Sequence, residues 1–370
     1  MSKMFPELYK RTSTGKIQTW FGEVEGGKYR TTSGQLYGKR TTTAWTECES
    51  KNVGRSNEVT PEQQAISEME SMYTKKRRTD YFDNLDQVDT SDRIKPMLAL
   101  APDKCDVQDD ELFNGQPKFD GFRCITSKDG MFTREGLPFT TVPHIWHGLR
   151  PFFDTYPNVI LDGEIYNHNL RNDFNKISSL LRDESPSPEK AALVAQMQYY
   201  IYDLPSSDQT EANRRPLLEQ IVNRIRLSAT QPDLFVFVDA EQLNASDIEA
   251  YLERMLALEY EGAILRRRHA VYQNKRTKDL IKVKKFLEED FQLLDILPGR
   301  GNGAGKARTA VLQTADGQTF EAGIIGDDIY AADLLNRKAE FIGSRASVKF
   351  LNYTPRGVPR GGKLKAIRFG

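Results

Sequence analysis

Between Asp83 and Arg93 the chain runs through polar and acidic residues with few apolar side chains to bury, and one hydrophobic core cannot be drawn across such a stretch. The break predicts a linker at 83–93, a small domain at 1–82 and a larger part after it. At 370 residues the chain has room for two or three domains. A hydrophobic fraction of 38% beside 28% charged residues is that of an ordinary soluble protein, and no apolar run reaches the length that spans a bilayer. The N-terminus lacks the apolar centre of a signal peptide, which points to the cytoplasm and to no membrane partner. Cys48, Cys105 and Cys124 are too few and too scattered for a disulfide framework or a zinc module, and read as reduced structural thiols.

Before the break, Lys16 to Val24, Lys28 to Thr32 and Leu36 to Cys48 are rich in Thr, Tyr, Trp and Val and are punctuated by Gly26-Gly27 and Ser33-Gly34, the pattern of a hairpin meander. A helix is predicted from Thr60, with Pro61 in first position and Gln63 completing a Thr-x-x-Gln capping box. After the break, a helix is predicted from about Glu211 to Leu227, with Leu217, Leu218, Ile221 and Ile225 on one side, and another from a Ser246-x-x-Glu249 box. From Glu289 the character changes. Phe291 to Leu297, Ala310 to Thr314, Thr319 to Ala322 and Ala346 to Leu351 are short β-prone runs between Gly-rich turns, which fits a small five-stranded barrel. The loop Gly299 to Lys306 fails the phosphate-loop pattern, because neither Ser nor Thr follows Gly305-Lys306.

The 52 basic and 52 acidic residues cancel, but they are not evenly spread. From Arg266 to Lys285 there are nine Lys/Arg against one acid, Asp279, and from Arg345 to the end there are seven Lys/Arg and no acid. Local charge of this kind suits phosphate-backbone contacts and equally suits a solvated face.

The chemistry centres on Gln116-Pro117-Lys118-Phe119-Asp120-Gly121-Phe122-Arg123. A free lysine amine with a pKa of about 10.4 is a poor nucleophile at neutral pH, and needs cationic neighbours or a metal to lower that value. Further on, Glu164 sits in the apolar strand Val159 to Tyr166, where a carboxylate is costly unless it is paired or ligates something. Lys282 and Lys284 alternate along a strand and so point to one face, where two ammonium groups suit a phosphate. Thr133 to Gly136, as a bare pattern, is a hairpin turn, and Tyr202 is a core ring.

In order along the chain, these segments resemble the motifs of the covalent nucleotidyltransferases, and among them the phage-type ATP-dependent DNA ligases. Lys118 to Arg123 resembles motif I, Lys-x-Asp-Gly-x-Arg; Thr133-Arg134-Glu135-Gly136 resembles motif Ia; and Asp162-Gly163-Glu164 resembles motif III. Tyr202, just before Asp203, falls in motif IIIa. Glu261 to Arg266 resembles motif IV, Glu-Gly-φ-φ-φ-Arg, and Asp279 to Lys284 resembles motif V. Six matches in the right order outweigh the ordinary reading of each. Pro96-Met97-Leu98-Ala99 upstream is also usual in DNA ligases, and Arg360 to Arg368 falls where the family keeps motif VI.

The resemblance implies an α+β multidomain protein. It would have a small β-rich domain at 1–82, a nucleotidyltransferase core at 94–287 built of ATP-grasp-like antiparallel sheets with helices, and an OB-fold β-barrel at 288–370. It implies ATP and Mg²⁺, with Mn²⁺ as a substitute, and a monomer acting on nicked double-stranded DNA. Lys118 would form the lysyl-adenylate, with Asp120 and Arg123 also catalytic. Gln116, Arg123, Arg134, Glu164, Tyr202, Glu261, Lys282 and Lys284 would hold the nucleotide, with Tyr202 stacked on adenine and Glu164 and Glu261 serving the metal. Asp120, Arg134, Arg266, Lys275, Arg360, Lys363, Lys365 and Arg368 would face DNA, and Lys39, Arg40, Lys51 and Arg55 would do so from the first domain. Gln116 departs from the acid that many ligases carry two residues before the lysine, and an amide can present either its oxygen or its nitrogen to the base. An RNA ligase, a GTP-using capping enzyme and a nucleic-acid-binding module with a decayed core are the alternatives.

Overall fold

Strand pairing organises this chain, and most of its helices cover one face of a sheet. The computed structural model describes residues 2–12, 14–88, 94–171, 173–300 and 303–368. They divide into two compact units, residues 93–285 in one and residues 1–92 with 286–370 in the other.

The N-terminal sheet contains Ser2–Met4 (β1), Leu8–Arg11 (β2), Ile17–Glu25 (β3), Lys28–Gln35 (β4), Arg40–Thr42 (β5) and Thr46–Glu47 (β6), all paired antiparallel. The predicted meander is its centre, while the run from Leu36 to Cys48 is two short strands instead of one. Helix α1, Pro61–Arg77, begins as the capping box predicts: the Thr60 hydroxyl accepts from the Gln63 amide and the Gln63 side chain accepts from the Thr60 amide. Ala65 and Met69 of α1 pack on Leu8, Trp20 and Val24. Of the predicted linker, Leu85–Gln87 is a 3-10 turn, and residues 89–93 lie outside the described residues.

Among the described residues the second unit holds the strands Leu98–Leu100 (β7), Leu112–Lys118 (β8), Phe122–Ser127 (β9), Gly130–Thr133 (β10), Leu161–Tyr166 (β11), Gln198–Asp203 (β12), Phe235–Phe237 (β13), Glu241–Asn244 (β14), Gly262–Arg267 (β15) and Arg276–Val283 (β16). Its helices are Pro143–Thr155 (α2), Phe174–Leu181 (α3), Pro188–Val194 (α4), Glu211–Ser228 (α5) and Ile248–Ala257 (α6). One five-stranded sheet runs β10-β9-β11-β12-β13 and the other β14-β8-β15-β16-β7. Each contains one parallel pair, β12 with β13 and β16 with β7, which corrects the expectation of purely antiparallel sheets. Between β12 and β13 the reason is α5, since a strand that returns through a helical crossover comes back parallel.

Each sheet buries one face. The first sheet puts Cys124, Leu161, Ile165, Tyr199 and Ile201 into a core shared with Ile145, Leu149 and Phe152 of α2 and Leu218, Val222 and Ile225 of α5. The second puts Phe113, Leu243, Ala263, Leu265 and Ile281 against Tyr251, Leu252 and Met255 of α6. Because strand side chains alternate, the residues between these are turned to the other face, and there the polar residues collect. Two local expectations are corrected. Leu217 is 40% exposed, because Val222 completes the buried stripe of α5 in its place. The turn before α6 is capped by an Asn244–Asp247 box instead of Ser246–Glu249.

The C-terminal part is a closed five-stranded barrel of Leu287–Pro298 (β17), Ala307–Gln313 (β18), Thr319–Ile324 (β19), Arg345–Phe350 (β20) and Lys363–Arg368 (β21), joined in the order β17-β18-β19-β21-β20. Phe291, Leu293, Ile296, Leu312, Phe320, Val348 and Phe350 fill it. Two helices that the sequence pattern did not predict, Asp328–Asn336 (α7) and Lys338–Phe341 (α8), connect β19 to β20, with the Asp327 carboxylate capping the first. The loop Gly299 to Lys306 follows β17; its residues 301 and 302 lie outside the described residues. No helix among the described residues is long and apolar enough to cross a membrane.

Candidate active site

Lys118 is the last residue of β8, and the turn beyond it is held from both sides. Phe119 is buried among the rings of Tyr166, Tyr200 and Tyr260, at centroid distances of 5.2, 4.9 and 5.6 Å. Gly121 passes so close to β11 that a Cβ there would stand 2.5 Å from the Ile165 carbonyl oxygen. The strand end carrying Lys118 therefore has little freedom.

Across β8, β15 and β16 the register puts Lys118 opposite Gly262, Gln116 opposite Ile264, and Ile264 opposite Lys282. Gly262 has φ +154°, and a Cβ there would lie 2.3 Å from the Val283 carbonyl oxygen, so only glycine lets these two strands meet beside Glu261. The Glu261 carboxylate then reaches two ammonium groups at once, Lys118 through Oε2 and Lys284 through Oε1. Burial works against its charge, but Lys118 and Lys284 outweigh it and hold the carboxyl below the ordinary range. Lys282 on the same face is lowered by burial first, then by Lys284, Arg276 and Lys118. Both oxygens of Glu261, a residue expected to serve a metal, are on lysines in this structure. Ile264, half-buried between Gln116 and Lys282, brings an apolar side chain onto this face that sequence reasoning missed.

The first sheet contributes Arg123, Asp162, Glu164 and Tyr202. Arg123 donates from Nε and Nη2 to the two oxygens of the fully buried Asp162, whose Oδ2 also accepts from the Tyr272 hydroxyl at 2.7 Å. Tyr272 in turn accepts from the amide of Met97 at 3.0 Å, which ties the Pro96-Met97 segment to β11. Glu164, opposite Arg123 in the register, is pushed up to about 7 by burial, with Asp162 adding to the rise and Lys118, Arg123 and the Tyr202 hydroxyl opposing it. The Tyr202 hydroxyl donates to Glu164 at 3.2 Å, and its ring has the guanidinium carbons of Arg266 and Arg123 at 5.5 and 5.8 Å.

The expectation that Arg266 faces DNA is corrected. It is 4% exposed, with Nη1 on Asp203 and Nε on the Gln116 amide oxygen at 2.7 Å. Gln116 is likewise buried, and its orientation is settled by its partners: Arg266 can only donate and the Val238 carbonyl can only accept, so Oε1 faces the first and Nε2 the second, at 3.1 Å. Behind them stand Asp203, Glu211, Arg214 and Arg215, all nearly inaccessible. Arg214 bridges Asp203 at 2.6 Å and Glu211 at 2.7 Å, and Asn114 donates to Glu211 at 3.4 Å. Nothing in the composition of Asn213-Arg214-Arg215 signals burial; an acid closing an aromatic strand, Asp203, was the trace available.

The remaining expected residues are spread out. Arg134 is exposed in the turn after β10, Asp120 is half-buried beside Gly121, and Lys275 is exposed before β16. In the other unit, Lys365 and Arg368 of β21 pair with Glu288 and Asp290 of β17 at 2.8 and 2.6 Å, Lys363 is exposed and Arg360 half-buried. Lys39, Lys51 and Arg55 are exposed, while Arg40 pairs with Glu7 at 2.9 Å. Among the described residues no group of three or more His, Cys, Asp or Glu is arranged to hold a metal ion.

Residues 96–284 match the family model of the ATP dependent DNA ligase domain. The chain is 24% identical over 201 residues to a DNA ligase of Haemophilus influenzae, covering 51% of this chain and 67% of that protein. It is 25% identical over 286 residues to a DNA ligase of African swine fever virus, strain Badajoz 1971, covering 71% of this chain and 62% of the viral protein, so it spans less than two thirds of that relative. A structure from work on Lig E DNA ligases and DNA binding with a minimal scaffold superposes with a TM-score of 0.61 at 22% identity, over 74% of this chain and 99% of that one. A structure called Pmar-Lig_PreS3 gives 0.64 at 17% identity, over 74% and 68%. At these identities the two structures speak for the fold alone.

Proposed function

The chain belongs to the family of the ATP dependent DNA ligase domain, and from that premise we propose that it seals 5′-phosphate/3′-hydroxyl nicks in duplex DNA through a lysyl-adenylate and a DNA-adenylate. The observation that carries the reading is the triad of Lys118, Glu261 and Lys284, a lysine at a rigid strand end with a carboxylate and a second ammonium in contact. Residues 94–287 are the adenylation domain in this reading, residues 288–370 an OB-type barrel, and residues 1–82 an accessory DNA-gripping module, with a linker at 83–93.

In the first step Lys118 Nζ attacks the α-phosphorus of ATP and pyrophosphate leaves. The Glu261 carboxylate is the acceptor nearest the Nζ protons. Lys284, now on Glu261, exchanges that partner for the entering phosphate, and Lys282 on the same face adds a second positive charge. The AMP then passes to the 5′-phosphate of the nick, and the 3′-hydroxyl displaces it to close the strand. Tyr202 offers its ring to the purine, Ile264 offers an apolar contact, and Gln116 keeps one lone pair and one N–H for the base edge. Arg123 and Asp162 brace this wall, and Asp120 and Arg134 stand at the turns that would meet the nick.

A divalent cation fits at Glu164. This carboxyl is half-buried and lifted to about 7 chiefly by burial, a cation beside it would favour its charged form, and one carboxylate plus substrate phosphates suffices for Mg²⁺. Bound there, the ion would neutralise phosphate charge as it moves to the leaving group. Arg360, Lys363, Lys365 and Arg368 are the group proposed to orient the pyrophosphate, and the protein is proposed to act as a monomer.

The test is incubation with α-labelled ATP, GTP or NAD and Mg²⁺, followed by a denaturing gel and then by nicked duplex with DNA or RNA at the 3′ side. Label retained from ATP alone, absent in Lys118→Ala and released on sealing DNA, is expected. Label from GTP would turn the reading to a capping-type enzyme, and sealing of RNA alone to an RNA ligase.

A further inference from the structure

The base-facing wall is held in place by a side chain that lies outside both sheets. Arg215, on α5, directs Nη1 to the carbonyl of Tyr202 at 2.6 Å and Nη2 to the carbonyl of Val238. Its guanidinium carbon lies 5.0 Å over the Phe237 ring. Val238 O uses its second lone pair for the Gln116 amide nitrogen, and the other end of that amide is held by Arg266. One planar fork thus fixes the backbone of the strand that presents Tyr202 and the acceptor that orients Gln116. A chain of contacts also closes on itself: Arg215, Val238, Gln116, Arg266, Asp203, Arg214, Glu211 and back to Arg215 at 3.7 Å.

We propose that Arg215 is a positioning residue of the purine site, setting affinity and base choice through Tyr202 and Gln116 without touching the nucleotide. The inference rests on the reading of Tyr202 and Gln116 as base-facing. A guanidinium reaches two carbonyls in different segments from two separate nitrogens, whereas lysine has to reach both from one. Loss of the fork leaves the Val238 carbonyl free to move off Gln116 Nε2, so the amide is held firmly only at its oxygen by Arg266 and shifts against the base edge, and the preference for adenine over guanine weakens.

The experiment measures lysyl-adenylate formation against ATP and GTP concentration in the full chain, with a thermal melt of each variant. Arg215→Met is expected to raise the KM for ATP about tenfold with kcat within about threefold, and to raise the GTP/ATP ratio. Arg215→Lys, which keeps the charge beside Glu211 and carries the test if the methionine variant does not fold, is expected to give a smaller KM shift in the same direction. Arg224→Met on the exposed side of α5 serves as the control that moves neither constant. Gln116→Ala combined with Arg215→Met is expected to do little more than the worse single change, because one acts through the other. A melt lowered with KM and base choice unmoved, or a loss confined to kcat, overturns the role of Arg215 while Gln116→Ala and Tyr202→Ala still raise KM. If those two variants leave KM unmoved although Lys118→Ala abolishes label, the base-site reading itself falls, and the role of Arg215 with it.

Discussion

Lys118 and Glu261 show how one carboxylate can serve structure and chemistry at once. Lys118→Arg keeps a cation against Glu261 but removes the primary amine, so the melt is expected to stay within about 2 °C of the native chain while label from ATP disappears on a denaturing gel. A retained label would place the nucleophile elsewhere. Glu261→Gln leaves two part-buried ammonium groups facing each other without a counter-charge, and urea unfolding should report a loss of about 2 kcal/mol. Of the residues at this scale, Lys118, Glu164, Glu261, Lys282 and Lys284 were singled out by their motifs, and strand alternation predicted a shared face only for Lys282 and Lys284. Arg266 was misjudged because a charged run says nothing about which member turns inward. Asp203, at the end of β12, captures it, and that partner is 63 residues away along the chain.

At the scale of elements, close approach of strands carries the site, while capping fixes a helix apart from it. Gly262→Ala would place a methyl group 2.3 Å from the Val283 carbonyl in a backbone conformation that L side chains rarely adopt. A cost of about 3 kcal/mol is expected, with adenylation falling more than tenfold as Glu261 is displaced, and a variant of native melt and activity would refute it. At α1 the Thr60 box is local, so Thr60→Ala is expected to cost about 1 kcal/mol and to leave adenylation unchanged, as a paired denaturation and labelling experiment would show. The two cases differ in legibility for a physical reason. A cap is made within four residues, so α1 starts where Thr60, Pro61 and Gln63 say it should, although before α6 two overlapping candidates competed and Asn244–Asp247 prevailed over Ser246–Glu249. The approach of β15 to β16, or the parallel return of β13 after α5, depends on chain from distant segments.

At the scale of the whole molecule, two histidines whose pKa the fold lowers give one pH-dependent contribution to stability. His144 of α2 donates from Nε2 to the Met197 carbonyl at 3.0 Å, and burial first, then His147, lowers its pKa against that bond. His168, beside Tyr166 and Tyr260, is lowered by burial and then by Arg171, with Glu259 opposing. The unfolded chain protonates both near about 6.5, before the folded chain does. Their contribution to stability is therefore complete above that pH and is lost as pH falls through the lower folded values. Glu164, raised to about 7, acts in the opposite sense, since the folded chain takes its proton first. The histidine effect is read from the difference between the native chain and His144→Gln/His168→Gln, melted in a metal-free series between pH 7.5 and 5.5. The double variant should lose less stability over that range, and parallel curves would rule the mechanism out. The order of the lysine-centred motifs, the cap of α1 and the β-rich character of the C-terminal part were determined by the sequence itself, because each depends on residues near one another in the chain or on a period of two. The pairing of Glu261 with two lysines, the burial of Arg266 and the closed arginine network around Asp203 and Glu211 were decided only by the tertiary structure. Charges become partners there through segments that the fold alone brings within hydrogen-bond reach, and burial sets the protonation that follows.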